Sequence, residues 1–104
     1  SPDADDITGL RDSAARAVML KLGGSFLEVF EFSSPPAPES AGLRPVHAHG
    51  ITHVAIEVKN LQTEYARLKA AGMHFHCEPK AQESGFGVYG RDPDGNVLEL
   101  IEYT

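Results

Sequence analysis

Phe26-Leu27-Glu28-Val29-Phe30-Glu31-Phe32 and Val97-Leu98-Glu99-Leu100-Ile101-Glu102-Tyr103 are one phrase written twice. Each copy runs apolar, Leu, Glu, two apolar residues, Glu, aromatic. Each follows a glycine-bearing turn, Gly23-Gly24 in the first case and Asp94-Gly95 in the second. The copies lie about 71 residues apart in a chain of 104, which implies two similar half-domains facing each other.

Read as strands, the copies place charge where it is costly. Side chains alternate between strand faces, so Glu28 shares a face with Phe26, Phe30 and Phe32, and Glu99 with Val97, Ile101 and Tyr103. A carboxylate on an apolar face is unfavourable unless it is paired, protonated or bound to a metal. Two such carboxylates at equivalent repeat positions point to a site built by both halves. Glu31 and Glu102 fall on the opposite face near the strand ends and read as solvated charges.

Composition narrows the class. A chain of this length is one small domain with room for a modest core. Its net charge is −6 and its nine Lys and Arg residues form no cluster, which argues against nucleic acid and anionic membranes as partners. No apolar run reaches membrane-spanning length, and no signal peptide is visible. The single cysteine, Cys77, has no internal partner and reads as a buried structural thiol in a reducing, cytoplasmic setting. The chain begins at Ser1 rather than Met, so the reading allows for a segment removed upstream.

The acidic opening, residues 1–14, reads as mobile. Residues 15–22 alternate like a strand and turn at Gly23-Gly24 into a second strand over 25–32. Residues 33–48 hold Pro35, Pro36, Pro38 and Pro45 with Ser and Gly, an extended linker. In the second half, residues 50–104, Ile51–Val58 is a strand and Asn60 stands where a helix cap would. Leu61, Tyr65 and Leu68 make one apolar helical stripe, and Gly72 is its left-handed stop. Met73–Cys77, Phe86–Arg91 and Asn96–Tyr103 read as strands, the last two joined by the Asp92-Pro93-Asp94-Gly95 turn. The order is β-α-β-β-β and the fold class α+β. The first half, 15–32, supplies only the last two strands of such a module; its own first strand, helix and second strand are absent.

Three segments carry a family resemblance. Gly50-Ile51-Thr52-His53-Val54-Ala55-Ile56-Glu57-Val58-Lys59-Asn60 resembles the opening strand of a βαβββ module in the vicinal oxygen chelate superfamily. Ala70-Ala71-Gly72-Met73 is similar to that module's helix end. Asp92-Pro93-Asp94-Gly95-Asn96-Val97-Leu98-Glu99-Leu100-Ile101-Glu102 is similar to its closing hairpin. The superfamily includes glyoxalase I, methylmalonyl-CoA epimerase, extradiol dioxygenases and the bleomycin and fosfomycin resistance proteins. The resemblance covers about residues 15 to 103 and implies two paired modules forming a cupped sheet around a divalent metal. It also implies ligands from the first and last strands: His53, Glu99 and Glu28. The fourth ligand, on the first strand of the first module, would fall upstream of Ser1. It would otherwise be replaced by water or another subunit. The first module is therefore N-terminally incomplete.

The residues themselves qualify this set. His53 lies opposite the face of Val54, Ile56 and Val58, as a cup-lining residue should; otherwise it is a hydrogen-bonded core histidine. One imidazole with two carboxylates suits Zn, Ni, Co, Mn or Fe(II) and leaves open positions for a substrate. His47 and His49 in the linker read as surface histidines, and His74 and His76 as an exposed edge pair. Arg91 reads as a surface salt bridge, with contact to an anionic substrate group as the alternative. Phe26, Phe30, Phe86, Tyr89 and Tyr103 line or support the cup, first of all as ordinary core.

The resemblance implies a glyoxalase-type lyase or isomerase that chelates neighbouring oxygens of a small substrate. Glu99 is the expected proton-moving residue and Glu28 the second choice. An Fe(II) extradiol-type dioxygenase is one alternative, disfavoured by Glu28. A metal-free, ligand-sequestering protein like the bleomycin-resistance members is another, disfavoured by the retained His53, Glu28 and Glu99. Exposed sheet edges and apolar faces in a half-missing module favour a homodimer.

Overall fold

The computed structural model describes residues 1–39 and 43–104. Residues 40–42, inside the expected linker, lie outside the described residues. The chain divides into two compact units, Ser1–Ser40 and Ala41–Thr104.

The first unit opens with helix α1 (Pro2–Thr8), where the sequence suggested a mobile segment. Local hydrogen bonds order it. Ser1 Oγ accepts from the Ala4 amide, Thr8 Oγ1 donates to the Ala4 carbonyl at 2.8 Å, and Gly9 closes the helix at φ +75°. The Asp5 carboxylate then accepts from the amides of Asp12 at 3.0 Å and Ser13 at 2.9 Å, and from the Ser13 hydroxyl. The Ser13 side chain, first among these donors, holds Asp5 below the usual carboxylate range. Strands β1 (Ala14–Leu22) and β2 (Ser25–Ser34) follow as an antiparallel hairpin turning at Gly23-Gly24, as expected. Arg16 and Glu31 pair at 2.5 Å on its exposed surface, so Glu31 is the solvated charge foreseen.

This hairpin carries no core. Phe26, Val18 and Met19 keep 66%, 52% and 56% of their surface, and Phe30 is also exposed. Phe26 and Phe30 are thus not ordinary core, a correction with a plain cause. A two-stranded ribbon has two open faces, and among the described residues of this unit no helix–strand pair corresponds to the one that covers the second unit.

The second unit is the complete module. Strand β3 (His53–Glu57) leads to helix α2 (Leu61–Ala70), then β4 (His74–Phe75), β5 (Lys80–Gln82), β6 (Gly85–Arg91) and β7 (Val97–Tyr103). The sheet order is β3-β7-β6-β4, with β5 also pairing β6. Strand β3 runs parallel to β7, and the other pairs are antiparallel. Strand β5 is an addition to the expected order: its three residues are too few to show a period. Leu61, Val88 and Leu100 are buried between α2 and the sheet, with Tyr65, Leu68 and Phe75 packed against them, so the predicted helical stripe forms the core.

Two details depart from the sequence reading. Asn60 occupies the cap position of α2 at φ +56° but makes no side-chain cap bond. Glu102 does that work: its carboxylate accepts from the amides of Asn60 at 2.9 Å and Leu61 at 3.0 Å. It is not a free solvated charge, because the positive end of a helix lies beside it. Cys77 is exposed rather than buried, since it follows Phe75, the last residue of that segment to pack on the core.

Gly85 fixes how β6 enters the sheet. Its φ is +150°, and a Cβ there would be driven into the Glu102 carbonyl oxygen. Gly85→Ala is expected to destabilise the second unit by about 3 kcal/mol or more, the sum of backbone strain and displaced ladder. Urea unfolding followed by far-ultraviolet circular dichroism measures it; a loss under half that figure would refute the steric argument.

Candidate metal centre

The parallel register between β3 and β7 pairs His53 with Val97 and Ala55 with Glu99. His53 and Glu99 are therefore one pleat apart on the same sheet face, away from α2. Their side chains meet: His53 Nε2 lies 3.2 Å from Glu99 Oε1, with 33% and 19% of the respective side chains accessible. The antiparallel register places Tyr89 directly across from Glu99. Its hydroxyl is also 3.2 Å from His53 Nε2, and the two rings are 4.7 Å apart between centroids.

One ring nitrogen thus has two polar neighbours. A neutral imidazole nitrogen either donates a hydrogen to Glu99 or offers its lone pair to Tyr89, not both. A divalent cation suits the donor set better. Two ligands about 2.0–2.1 Å from a metal, at angles near 100–110°, are themselves about 3.1–3.4 Å apart. His53 Nε2 and Glu99 Oε1 fit that spacing. They are two of the four protein ligands the resemblance implies. Among the described residues no group of three or more His, Cys, Asp or Glu side chains is gathered at metal-binding geometry. Glu28 lies in the first unit, on β2 opposite Met19, exposed on the open hairpin.

Tyr89 was legible only as a core or cup-lining aromatic. The signal that locates it is the turn. Asp92 to Gly95 closes with a 2.9 Å amide–carbonyl bond, which pairs Arg91 with Val97 and hence Tyr89 with Glu99. Burial, and after it the Glu99 carboxylate, push the Tyr89 phenol above its ordinary value of 10. Below pH 10 the phenol is protonated in folded and unfolded chains alike. Above pH 10 the unfolded chain ionises first, so folding loses stability until the folded phenol titrates too. In metal-free protein, ultraviolet titration should show a tyrosine transition displaced above pH 10 that is missing in Tyr89→Phe. An unchanged titration in that variant would overturn the assignment.

His47 and His49 are exposed, in agreement with the sequence reading. Arg91 is not in a salt bridge among the described residues; it donates to main-chain carbonyls and to His76. A cleft of about 660 Å³ lies elsewhere, around Leu43, Leu68, Met73, Arg91, Pro93 and Leu98, and includes neither His53 nor Glu99.

Fold and site together define an α+β protein built on the βαβββ module, with a His–Glu pair on the sheet face that α2 leaves open. The chain belongs to the Glyoxalase/Bleomycin resistance protein/Dioxygenase superfamily, whose family model matches residues 6–100. It is similar to the crystal structure of a glyoxalase family protein from Bacillus cereus, at 26% identity and a TM-score of 0.84 over 96% of this chain and 69% of that one. A glyoxalase family protein from Enterococcus faecalis is 26% identical, with a TM-score of 0.61 over 88% of this chain and 75% of that one. An integron cassette protein from V. cholerae shares the fold at 16% identity, with a TM-score of 0.57 over 99% of this chain and 83% of that one. No curated protein matches the sequence significantly. Among the described residues no helix is long and apolar enough to cross a membrane.

Proposed function

We propose that this protein is a divalent-metal-dependent lyase or isomerase of the glyoxalase type, acting on a small molecule with two neighbouring oxygens. The observation that carries the reading is the 3.2 Å approach of His53 Nε2 and Glu99 Oε1 on the open sheet face. His53 and Glu99 would hold the ion, which is Zn, Ni, Co, Mn or Fe(II) by donor type. Glu28, equivalent to Glu99 in the repeat, is the proposed third protein ligand. The apolar side chains exposed on β1 and β2 support a homodimer.

When bound, the metal supplies Lewis-acid stabilisation of negative charge on the substrate oxygens. The chain's own groups do the rest. Glu99 accepts the proton from the carbon beside the chelated oxygens and returns it to the neighbouring carbon. His53 keeps the carboxylate oriented for that transfer. The Tyr89 phenol, protonated at neutral pH, is a donor beside the site.

The test is proton exchange. Metal-reconstituted protein is incubated in deuterium oxide with a 2-oxoaldehyde–thiol adduct and, separately, a thioester, and products are read by NMR. Deuterium incorporation or isomerisation that disappears in Glu99→Gln supports the reading. Oxygen consumption without exchange would favour the dioxygenase instead. Tight ligand binding without turnover or metal would favour the sequestering protein.

A further inference from the structure

Arg91 is held in place but not neutralised. Its Nη1 donates to the carbonyls of Gly95 at 2.9 Å and Arg44 at 2.8 Å, and its Nε donates to His76 Nε2 at 3.3 Å. Its Nη2 has no partner among the described residues. No described carboxylate pairs with it either. The adjacent Asp92 uses both oxygens in its own turn, accepting from Asp94 N at 3.0 Å, Asn96 N at 2.8 Å and Asn96 Nδ2 at 2.9 Å. A guanidinium fixed on two sides by neutral acceptors retains its full charge and its remaining donors.

The sheet register places this charge relative to the metal pair. Arg91 is paired with Val97, and Val97 with His53. Arg91 and His53 thus sit at one level with a single strand between them, about 10 Å apart at the backbone. Tyr89 shares Arg91's face, and the His76 ring stands beside it at 6.2 Å between centroids. Because His76 Nε2 accepts from Arg91, the proton of its neutral ring is on Nδ1. Beyond Tyr89, which faces Glu99, the His76–Arg91 pair offers donors and a positive charge.

We infer that Arg91, steadied by His76, anchors a carboxylate of the substrate. The substrate is then a small oxo- or hydroxy-acid whose carboxylate stands apart from the two oxygens held at His53 and Glu99. The position of those oxygens rests on the proposed function; the anion contact does not.

The probes are 2-oxoglutarate and 2-oxopentanoate, which differ in having a distal carboxylate or a methyl group. Each is titrated into nitrogen-15-labelled full-length protein, with and without zinc, and the Arg91 Nε–H and His76 ring resonances are followed by NMR. We expect both signals to move with 2-oxoglutarate, which should bind at least about tenfold tighter than 2-oxopentanoate, as a charge-assisted contact requires. Arg91→Met should bring that ratio below about twofold, and Arg91→Lys should retain part of it. His76→Phe leaves the two carbonyl bonds intact, so it guards against a folding artefact; it should weaken 2-oxoglutarate several-fold. Equal binding of the two acids to the wild type, or an unchanged preference in a folded Arg91→Met or His76→Phe protein, would overturn the proposal. A protein that binds no zinc but still shows the Arg91 response would sink the metal reading and sustain the anchor. Zinc binding with a silent Arg91 would do the reverse.

Discussion

Leu100→Ala is expected to leave the second unit largely unfolded near room temperature. The cluster packed between α2 and the sheet is three buried side chains, Leu61, Val88 and Leu100, each at most 4% exposed, with Val97 buried outside it. Truncating one leucine in such a cluster costs about 2–5 kcal/mol, because the lost contacts and the cavity add. A unit of about 60 residues has only about 3–9 kcal/mol in total. The drop in thermal midpoint should exceed about 10 °C. Val54→Ala, on the same sheet but 49% exposed, is the control and should cost well under half as much. Thermal melts followed by circular dichroism decide it; equal effects would mean that the core lies elsewhere.

Glu99 and Glu102 are expected to separate function from stability. They are three residues apart on one strand and point to opposite faces. Glu102→Ala removes two charge-assisted bonds to the start of α2 and should cost about 2 kcal/mol without altering metal affinity. Glu99→Ala removes half of the proposed ligand pair and should lower divalent-metal affinity by about 100-fold or more. It should leave stability in the absence of metal within about 1 kcal/mol, since its carboxylate stays partly accessible. Denaturation curves and zinc titrations on both variants form the crossed test. Parallel losses in both would show that the two carboxylates play no distinct roles.

Much of this was readable before the structure. The hairpin closing on Asp92–Gly95 and the stripe Leu61–Tyr65–Leu68 follow from strand and helix periods, the common face of His53 and Glu99 was what the family resemblance implied, and all are present. Periodicity carries no information about long-range partners, and there the reading fell short. Glu102 looked solvated because its donors, the amides of Asn60 and Leu61, are some forty residues away in sequence. Arg91 looked like half of a salt bridge because its carbonyl acceptors carry no side-chain signature. The ordered opening helix was missed for a related reason: Asp5 organises residues seven and eight positions downstream, beyond the reach of a local pattern. The exposed Phe26 and Phe30 show the opposite limit, since an alternating apolar strand states that a face should be buried without stating by what.

The central claim is that His53 and Glu99 jointly hold a divalent metal. Equilibrium dialysis of the full chain against zinc, nickel, cobalt and manganese, with bound metal counted by mass spectrometry, tests it most directly. The wild type should retain about one ion per chain with at least one of these metals, and His53→Ala and Glu99→Ala should each lose it while remaining folded. A wild type that retains none after reconstitution, or variants that retain as much as the wild type, would contradict the account.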